Sequence, residues 1–291
     1  MNLRLIKDLC KMDEKTIHSF VMKTLVKAGY KSFCNAEDYI IAEGDLPICL
    51  ISHLDTVFSF PPQQFFFDYR EKVLWSPTGS GFDDRAGVYI ILTLIEMGYR
   101  PHIIFTHGEE IGGIGSRDLI TRFPQCPFKE CKALIQLDRA NKNDMVFYDC
   151  NNSSFEKYIG KFGFKFAWGS FSDISVIAPA WEIAAVNLSV GYLNEHTTSE
   201  LLYTDQCDNT LKKVEQILNK SDTMPSFTYI PYKYQNFKMY PCESAYITDR
   251  KCFLCLDEFT TENPAVEVQE YGSIPKYKVC KRCYDAYYVS S

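Results

Sequence analysis

The sequence contains no apolar run long enough to cross a membrane. Its longest clearly apolar stretch, residues 88–95, is far shorter than the roughly 20 residues that a transmembrane helix needs. The opening Met-Asn-Leu-Arg-Leu-Ile-Lys-Asp also lacks the apolar core and the small-residue cleavage site of a secretory signal. We therefore expect a soluble, cytoplasmic protein without a membrane partner.

The chain also lacks a surplus of basic residues. Its 31 Lys and Arg are outnumbered by 37 Asp and Glu, for a net charge of −6, which argues against nucleic acid or anionic lipid binding across the whole surface. Hydrophobic residues at 46% and charged residues at 23% are ordinary globular usage, which excludes disordered, collagen-like and coiled-coil proteins. With 291 residues, the chain is long enough for about two domains.

Strand-like and helix-like patterns alternate along most of the chain. Helical spacing of apolar residues is seen in 4–28, 88–97, 116–122 and 204–219, and short apolar runs typical of strands lie at 39–42, 48–51, 102–106 and 133–137. A helix and a strand are expected between 173 and 188. This alternation predicts an α/β fold with a largely parallel sheet covered on both faces.

A change in composition marks the expected domain boundary. Residues 221–235 are rich in Pro, Tyr, Ser and Thr and show little periodicity. We expect a catalytic domain at 1–220, a linker at 221–240 and a small module at 241–291.

Metal-binding residue types follow several of the predicted strands and turns, where α/β sheets place their ligands. Each is weak by itself, because paired acids at turns are usually solvated and a lone histidine at a strand end is usually structural. Their order along the chain carries the signal. The motifs, in chain order, are His53-Leu54-Asp55, the turn Gly81-Phe82-Asp83-Asp84-Arg85-Ala86-Gly87, Glu109-Glu110, Asp138 and His196-Thr197.

In this order the motifs resemble those of the co-catalytic zinc peptidases, a clan that includes the peptidase T, carboxypeptidase G and glutamyl aminopeptidase types. The resemblance covers roughly residues 1–219. It implies a three-layer α/β/α fold with a mixed, largely parallel sheet, two zinc ions and hydrolysis of an amide bond.

The resemblance also implies a set of metal ligands. His53 and Asp138 would hold one zinc, Glu110 and His196 the other, and Asp83 would bridge them. Manganese and cobalt are alternatives for a site so rich in carboxylates. Because the acids of an empty site would repel one another, we expect removal of the metal to lower thermal stability.

Two further acids match catalytic positions of the clan. Glu109 matches the general base, which takes a proton from a bridging water that the two zinc ions make acidic, so that a hydroxide remains. Asp55 matches the acid that orients His53 through the second nitrogen of its ring. The clan often has a cis peptide after the bridging acid, which here is the bond between Asp83 and Asp84.

The length between motifs bears on the substrate. Many members of the clan with this His-Thr motif insert a lid between the last Asp ligand and the late His, but only 57 residues separate Asp138 from His196. We therefore expect a lidless aminopeptidase, monomeric, that acts on short peptides. A carboxypeptidase and an N-acyl amino acid deacylase are alternatives. An inactive scaffold that uses the tail to bind a partner is a third, which the intact Glu109 disfavours.

The tail carries a second metal motif. Cys252 and Cys255 form one CxxC pair, and Cys280 and Cys283 form another after 24 intervening residues. Two such pairs complete a tetrahedral shell of four thiolates, so we expect one structural zinc in a zinc-ribbon or treble-clef module. The module is expected to pack on the catalytic domain or to bind a protein partner. Its acidic residues largely cancel the basic ones, which disfavours nucleic acid.

Overall fold

In the computed structural model, which describes residues 1–231, 260–262, 264–268 and 277–285, the chain begins with two helices, α1 (Leu3–Cys10) and α2 (Glu14–Lys27). Asn2 caps α1 by accepting the N–H of Leu5, and Asp13 caps α2 by accepting the N–H of Thr16. The opening helices predicted from residues 4–28 are confirmed.

Eight strands form the main sheet, in the order β1-β2-β6-β3-β7-β10-β8-β9. The pairs β6·β3, β3·β7, β7·β10 and β8·β9 are parallel, and β1·β2, β2·β6 and β10·β8 are antiparallel. The sheet is mixed and largely parallel, as expected, and its central pairs are all parallel. The strands are β1 (Ser32–Asn35), β2 (Tyr39–Glu43), β3 (Leu46–His53), β6 (Pro101–Thr106), β7 (Ala133–Arg139), β8 (Asp144–Val146), β9 (Lys165–Phe166) and β10 (Ala185–Ser189).

Helices cover both faces of this sheet. Alternate residues of β3 enter two separate hydrophobic clusters, Ile48 and Leu50 in one and Cys49 and Ile51 in the other. The first cluster is completed by α1, α2, α3 (Phe82–Glu96), α5 (Ser153–Gly160) and α7 (Thr204–Leu218), and the second by α4 (Ile114–Arg122) and α6 (Ile174–Trp181). The fold is therefore a three-layer α/β/α arrangement.

A smaller antiparallel sheet was not predicted. It has the order β11-β12-β5-β4 and consists of β4 (Phe66–Asp68), β5 (Val73–Trp75), β11 (Tyr192–Leu193) and β12 (Leu201–Tyr203). Between Asp138 and His196 the chain forms β8, α5, β9, α6, β10 and β11. These elements belong to the two sheets and the layers that cover them, so this interval contains no inserted lid domain.

The chain divides into two units, Met1–Tyr232 and Lys233–Ser291. The first part of the expected linker belongs to the first unit: Ser221–Thr223 form a 3-10 helix, and Phe227 bonds through its backbone to Lys132 and Ala184. In the second unit an antiparallel pair, β13 (Ala265–Val268) and β14 (Tyr277–Cys280), precedes the short helix α8 (Lys281–Tyr284). Within the described residues, no helix has the length and apolar character needed to cross a membrane.

Candidate metal centre

The predicted site residues converge at the carboxyl ends of the central parallel strands. His53 ends β3, Asp138 lies near the end of β7, and Glu109 and Glu110 follow β6. Parallel strands bring their carboxyl ends to one edge of a sheet, so residues remote in sequence become neighbours there. Asp83 reaches this edge from the start of α3, and His196 from the turn between β11 and β12.

One donor group consists of His53, Asp83 and Asp138. Nε2 of His53 lies 3.1 Å from Oδ1 of Asp83 and 3.4 Å from Oδ1 of Asp138. All three side chains are largely buried, and His53 is fully enclosed. One imidazole nitrogen thus faces an oxygen of each of two carboxylates across a gap that suits a metal ion.

A second donor group consists of Asp83, Glu110 and His196. Nε2 of His196 lies 3.2 Å from Oδ2 of Asp83 and 2.8 Å from Oε2 of Glu110. The other oxygen of Glu110 is buried without a hydrogen-bond partner. Asp83 belongs to both groups, with one oxygen toward each histidine, which is the arrangement expected of a bridging ligand.

The turn before Asp83 has an unusual backbone, and the peptide bond between Asp83 and Asp84 is cis, as the resemblance implies. The helix was expected to begin at residue 88, but α3 begins at Phe82, with non-helical dihedrals at Asp83 and Asp84. The Asp84 carboxylate caps the regular part of the helix by accepting the N–H of Gly87 at 3.0 Å. It also accepts the hydroxyl of Ser52, which ties the turn to β3.

Asp55 connects His53 to the Glu109-Glu110 segment. Its Oδ1 lies 3.3 Å from Nδ1 of His53, and its two oxygens accept the backbone N–H groups of Glu109 at 3.3 Å and Glu110 at 3.1 Å. Burial opposes ionisation of Asp55, but His53 and the two N–H groups lower its pKa to about 2. Asp55 is therefore a carboxylate that can hold the His53 ring in one orientation.

Three neighbouring carboxyl groups have raised pKa values instead. Burial, together with the charge of Asp138, raises the pKa of Glu109 to about 9. Burial and the charge of Asp83 raise the pKa of Glu110 to about 7, and burial raises that of Asp138 to about 7. In the described part of the chain, Asp138 forms a close ion pair with His53 and Glu110 with His196, and none of the three carboxylates pairs with a lysine or arginine.

The pKa values of the two histidines are raised as well. The hydrogen bond to Asp83 raises the pKa of His196 to about 9. Burial alone would lower the pKa of His53, but Asp138, Asp55 and Asp83 hold it well above its ordinary value. Carboxylates that resist ionisation and imidazoles that retain protons indicate a site short of positive charge. The donor set of three carboxylates and two imidazoles fits two divalent cations.

Hydrogen bonds hold both the carboxylate and the backbone of Asp138. Gln136 donates to its Oδ2 at 2.9 Å, and the phenol of Tyr192 donates to its Oδ1 at 3.2 Å. The side chain of Asn187 accepts the N–H of Asp138 and donates to its carbonyl. Sequence reasoning missed these residues, although Gln136 and Asn187 are polar residues within apolar strands, which is a detectable signal.

Glu200 is the other residue that sequence reasoning missed. It is fully buried and accepts backbone N–H groups from the segment that carries Asp83. It lies four residues after His196, before a short strand, where a lone glutamate gives no signal of burial.

The predicted four-cysteine site lies mostly outside the described residues. Cys252 and Cys255 are not among them, and the side chain of Cys283 is not described either. Cys280 is buried at the end of β14, directly before α8. The structural zinc therefore stays a prediction.

No protein-family model and no curated protein sequence matches the chain. Its fold matches solved structures. The aminopeptidase PepT of Bacillus cereus ATCC 10987 aligns with a TM-score of 0.62 at 16% identity, over 75% of this chain and 97% of that chain. The tripeptidase SAV1512 of Staphylococcus aureus subsp. aureus Mu50 has a TM-score of 0.62 at 14% identity, over 76% and 98%. A TET aminopeptidase from Thaumarchaeota archaeon SCGC AB-539-E09 has a TM-score of 0.56 at 12% identity, over 74% and 96%. These similarities show a shared fold.

Proposed function

We propose that this protein is a metal-dependent peptidase, specifically a di-zinc aminopeptidase that acts on short peptides. The observation that carries the proposal is the position of Asp83 between two histidines. One of its oxygens faces His53, with Asp138 alongside, and the other faces His196, with Glu110 alongside. Two sets of nitrogen and oxygen donors with one shared carboxylate suit a pair of ions in contact with the same substrate.

Zinc is the proposed metal because each set supplies one imidazole and two carboxylates, which leaves a coordination position for water or substrate. Manganese and cobalt accept the same donors, so the metal has to be identified by elemental analysis. When bound, the two ions supply a net positive charge that acidifies water and polarises the scissile carbonyl. The chain's own groups must position the substrate and move the protons.

Glu109 is the proposed general base. It belongs to neither donor set, and its backbone N–H donates to Asp55, which also contacts the ring of His53. Two nearby cations would counteract the burial that raises its pKa, so it would be ionised at neutral pH. Glu109 then takes a proton from the attacking water and delivers it to the nitrogen of the leaving amine.

Asp55 is the proposed positioning residue of His53. A ligating imidazole usually donates its second N–H to a carboxylate, and Asp55 lies 3.3 Å from the Nδ1 atom that would make this bond. Because Asp55 also accepts two N–H groups from the Glu109-Glu110 segment, it fixes the base and one ligand relative to His53.

Two observations favour an aminopeptidase. The interval between Asp138 and His196 contains no inserted lid, which is the feature from which an aminopeptidase was expected. Three of the solved structures with a similar fold are named as two aminopeptidases and a tripeptidase. An N-acyl amino acid deacylase would use the same core and differ only in how the substrate is held, so it is the second candidate.

For the tail, we keep the proposal of a zinc module at 241–291 joined to a catalytic domain at 1–220, with protein contact ahead of nucleic acid. Cys252, Cys255, Cys280 and Cys283 would hold one structural zinc. The place of Cys280, between a strand and a short helix, suits the start of the second CxxC pair.

Metal content per chain, measured for the native protein and for a His53→Ala/His196→Ala double variant, tests the proposal. We expect about three zinc ions in the native protein and about one in the variant, because only the four-thiolate site should survive. A panel of aminoacyl anilides, dipeptides, tripeptides and N-acyl amino acids then separates aminopeptidase activity from N-acyl amino acid deacylase activity. Equal metal content in both proteins, unchanged by added zinc, manganese or cobalt, would contradict a di-metal core and favour the inactive scaffold.

A further inference from the structure

The buried carboxylate of Glu200 accepts three backbone N–H groups from one short segment. Its Oε2 accepts those of Ser80 at 3.1 Å and Gly81 at 2.6 Å, and its Oε1 accepts that of Asp83 at 2.9 Å. Its own carbonyl accepts the hydroxyl of Ser80 at 3.3 Å. Glu200 is fully enclosed, and within the described residues it belongs to neither donor group of the candidate metal centre.

These bonds meet a need that the local sequence leaves open. The first N–H groups of a helix have no partner within the helix, and negative charge is favoured beside them. At the start of α3 the cap position is held by Gly81, which has a φ of +66° and no side chain to accept the N–H of Asp83, and the N–H groups of Ser80 and Gly81 lie directly before the helix. Glu200 supplies the missing acceptor from a distant part of the chain.

Glu200 also belongs to the segment that presents His196. Its own N–H bonds to the carbonyl of Thr197 at 3.1 Å, and the side chain of Asn194 reaches the carbonyl of Ser199 at 3.3 Å. His196 lies inside this tight turn, with a φ of +63°. A single side chain therefore joins the turn that carries His196 to the segment that carries Asp83.

We infer that Glu200 is a positioning residue for the shared metal site: it fixes the distance between Asp83 and His196, which face each other at 3.2 Å, without binding metal itself. The inference rests on the proposed function, because it assumes that this pair holds an ion. Groups that orient metal ligands typically contribute 10–100-fold in metal affinity, roughly the effect expected here.

The substitution Glu200→Gln tests the role with little change in size. The amide of glutamine has only one acceptor oxygen. Its NH2 group would face at least one backbone N–H that now donates to the carboxylate, and that hydrogen bond would be lost. Glu200→Ala removes all three bonds, and Glu200→Asp keeps the charge on a shorter side chain. The matched control is Glu215→Gln, because Glu215 also accepts a hydrogen bond, from Tyr99 at 3.2 Å, and belongs to α7 outside the site.

Binding of cobalt(II) and zinc to metal-free protein is the first measurement. Absorption from thiolate-to-cobalt charge transfer marks ions held by the tail cysteines and is absent from sites made of carboxylate and imidazole, so the core ions can be counted separately. We expect Glu200→Gln to weaken the more weakly held core ion by about 10–100-fold and Glu215→Gln to leave it unchanged. The thermal unfolding midpoint of each metal-free variant is measured alongside.

The outcomes separate the two proposals. If the wild-type core binds no metal, the proposed function fails, and this inference fails with it. If the wild-type core binds metal, and Glu200→Gln and Glu200→Asp bind it with unchanged affinity, this inference alone is overturned. A lower unfolding midpoint with unchanged metal affinity would make Glu200 a helix cap and nothing more. If Glu200→Ala does not fold, the Gln and Asp variants carry the test.

Discussion

The Oδ2 atom of Asp83 lies 3.2 Å from Nε2 of His196, although more than a hundred residues separate them in sequence. Neither element alone could create this approach. Asp83 stands at the start of α3, and His196 stands in a turn between two short strands of the smaller sheet. The proposed second metal position therefore depends on the folded chain and should be lost when the fold is loosened.

Removal of metal should destabilise the protein. The buried carboxylates at the site have no lysine or arginine partner among the described residues, so divalent cations are the expected compensation. We expect a chelator to lower the thermal unfolding midpoint and added zinc to restore it. The His53→Ala/His196→Ala variant is the control. Its core should hold no metal, so a chelator should change its unfolding midpoint only by removing zinc from the tail. An unchanged melting curve in protein shown to be metal-free would count against the core site.

The metal-free protein should lose stability as the pH rises from about 5 to about 9. The folded protein raises the pKa of Glu109 to about 9 and those of Glu110 and Asp138 to about 7, so it holds their protons more tightly than the unfolded chain does. Stability from these groups is complete below their unfolded pKa values and falls as each group ionises. The pKa of His196 is raised to about 9, so the stability that protonated His196 contributes is also lost as the pH rises above about 6.5.

Urea unfolding midpoints of metal-free protein at several pH values measure this effect. With zinc present the trend should reverse, because protons compete with zinc for the same ligands. A midpoint that rises with pH in the absence of metal would show that the carboxylates are not crowded as the structure has them.

The sequence was sufficient to predict the parts of the site that have local signals. His53-Leu54-Asp55 follows an apolar run, and Glu109-Glu110 follows another, so the rule that ligands gather at strand ends applies directly. The resemblance to the zinc peptidases added the proposed pairing of ligands and the proposed bridging role of Asp83, and the structure brings these side chains together. The alternation of strands and helices predicted the layers of the fold.

The sequence was not sufficient to predict the role of groups that act through contacts with residues far away in the chain. Glu200 reads as an ordinary solvated acid, because nothing near it in sequence shows that its carboxylate will be buried against Gly81 and Asp83. Tyr192 gives no signal of its own in the sequence, and it donates to Asp138 only in the folded chain, where β11 pairs with β12. The hairpin of β4 and β5 was missed because strands of three residues give little periodicity.

Substitution of Glu109 by glutamine should separate metal binding from turnover. The amide keeps the size of the side chain but cannot take a proton from water, and Glu109 belongs to neither donor group. We expect metal content to be unchanged and kcat to fall by about 100- to 10,000-fold on the best peptide of the panel. Retained turnover in a fully metallated variant would show that another group is the base.

Substitution of Tyr192 by phenylalanine should weaken the metal site without removing a ligand. The variant loses the bond from the phenol to Oδ1 of Asp138, so that oxygen is less well held. We expect weaker binding of core metal, by up to about 10-fold, the low end for groups that orient ligands. The control is Tyr30→Phe, which loses a buried hydrogen bond of 2.7 Å to Pro101 at the other end of the strands. Equal metal affinity in Tyr192→Phe and wild type would contradict the prediction.

Substitution of Gly87 by alanine should damage both stability and the site, because the start of α3 packs against β7 with no room for a side chain. A Cβ at position 87 would lie 1.9 Å from the carbonyl oxygen of Leu137 and 2.5 Å from Oδ1 of Asp84. Since Leu137 precedes the proposed ligand Asp138 and Asp84 follows the proposed ligand Asp83, any shift that relieves the clash displaces one of them. We expect a loss of about 3 kcal/mol in the free energy of unfolding, the upper end for overpacking.

Gly160→Ala is the matched control for this change. Gly160 ends α5, its added Cβ would come no nearer than 3.7 Å to Met145, and alanine favours helix, so stability should be unchanged or rise by at most about 1 kcal/mol. Denaturant unfolding of metal-free protein and zinc affinity together check the pair. If Gly87→Ala were as stable as Gly160→Ala and bound zinc as tightly as wild type, the close packing of α3 on β7 could not be what places Asp83 beside Asp138.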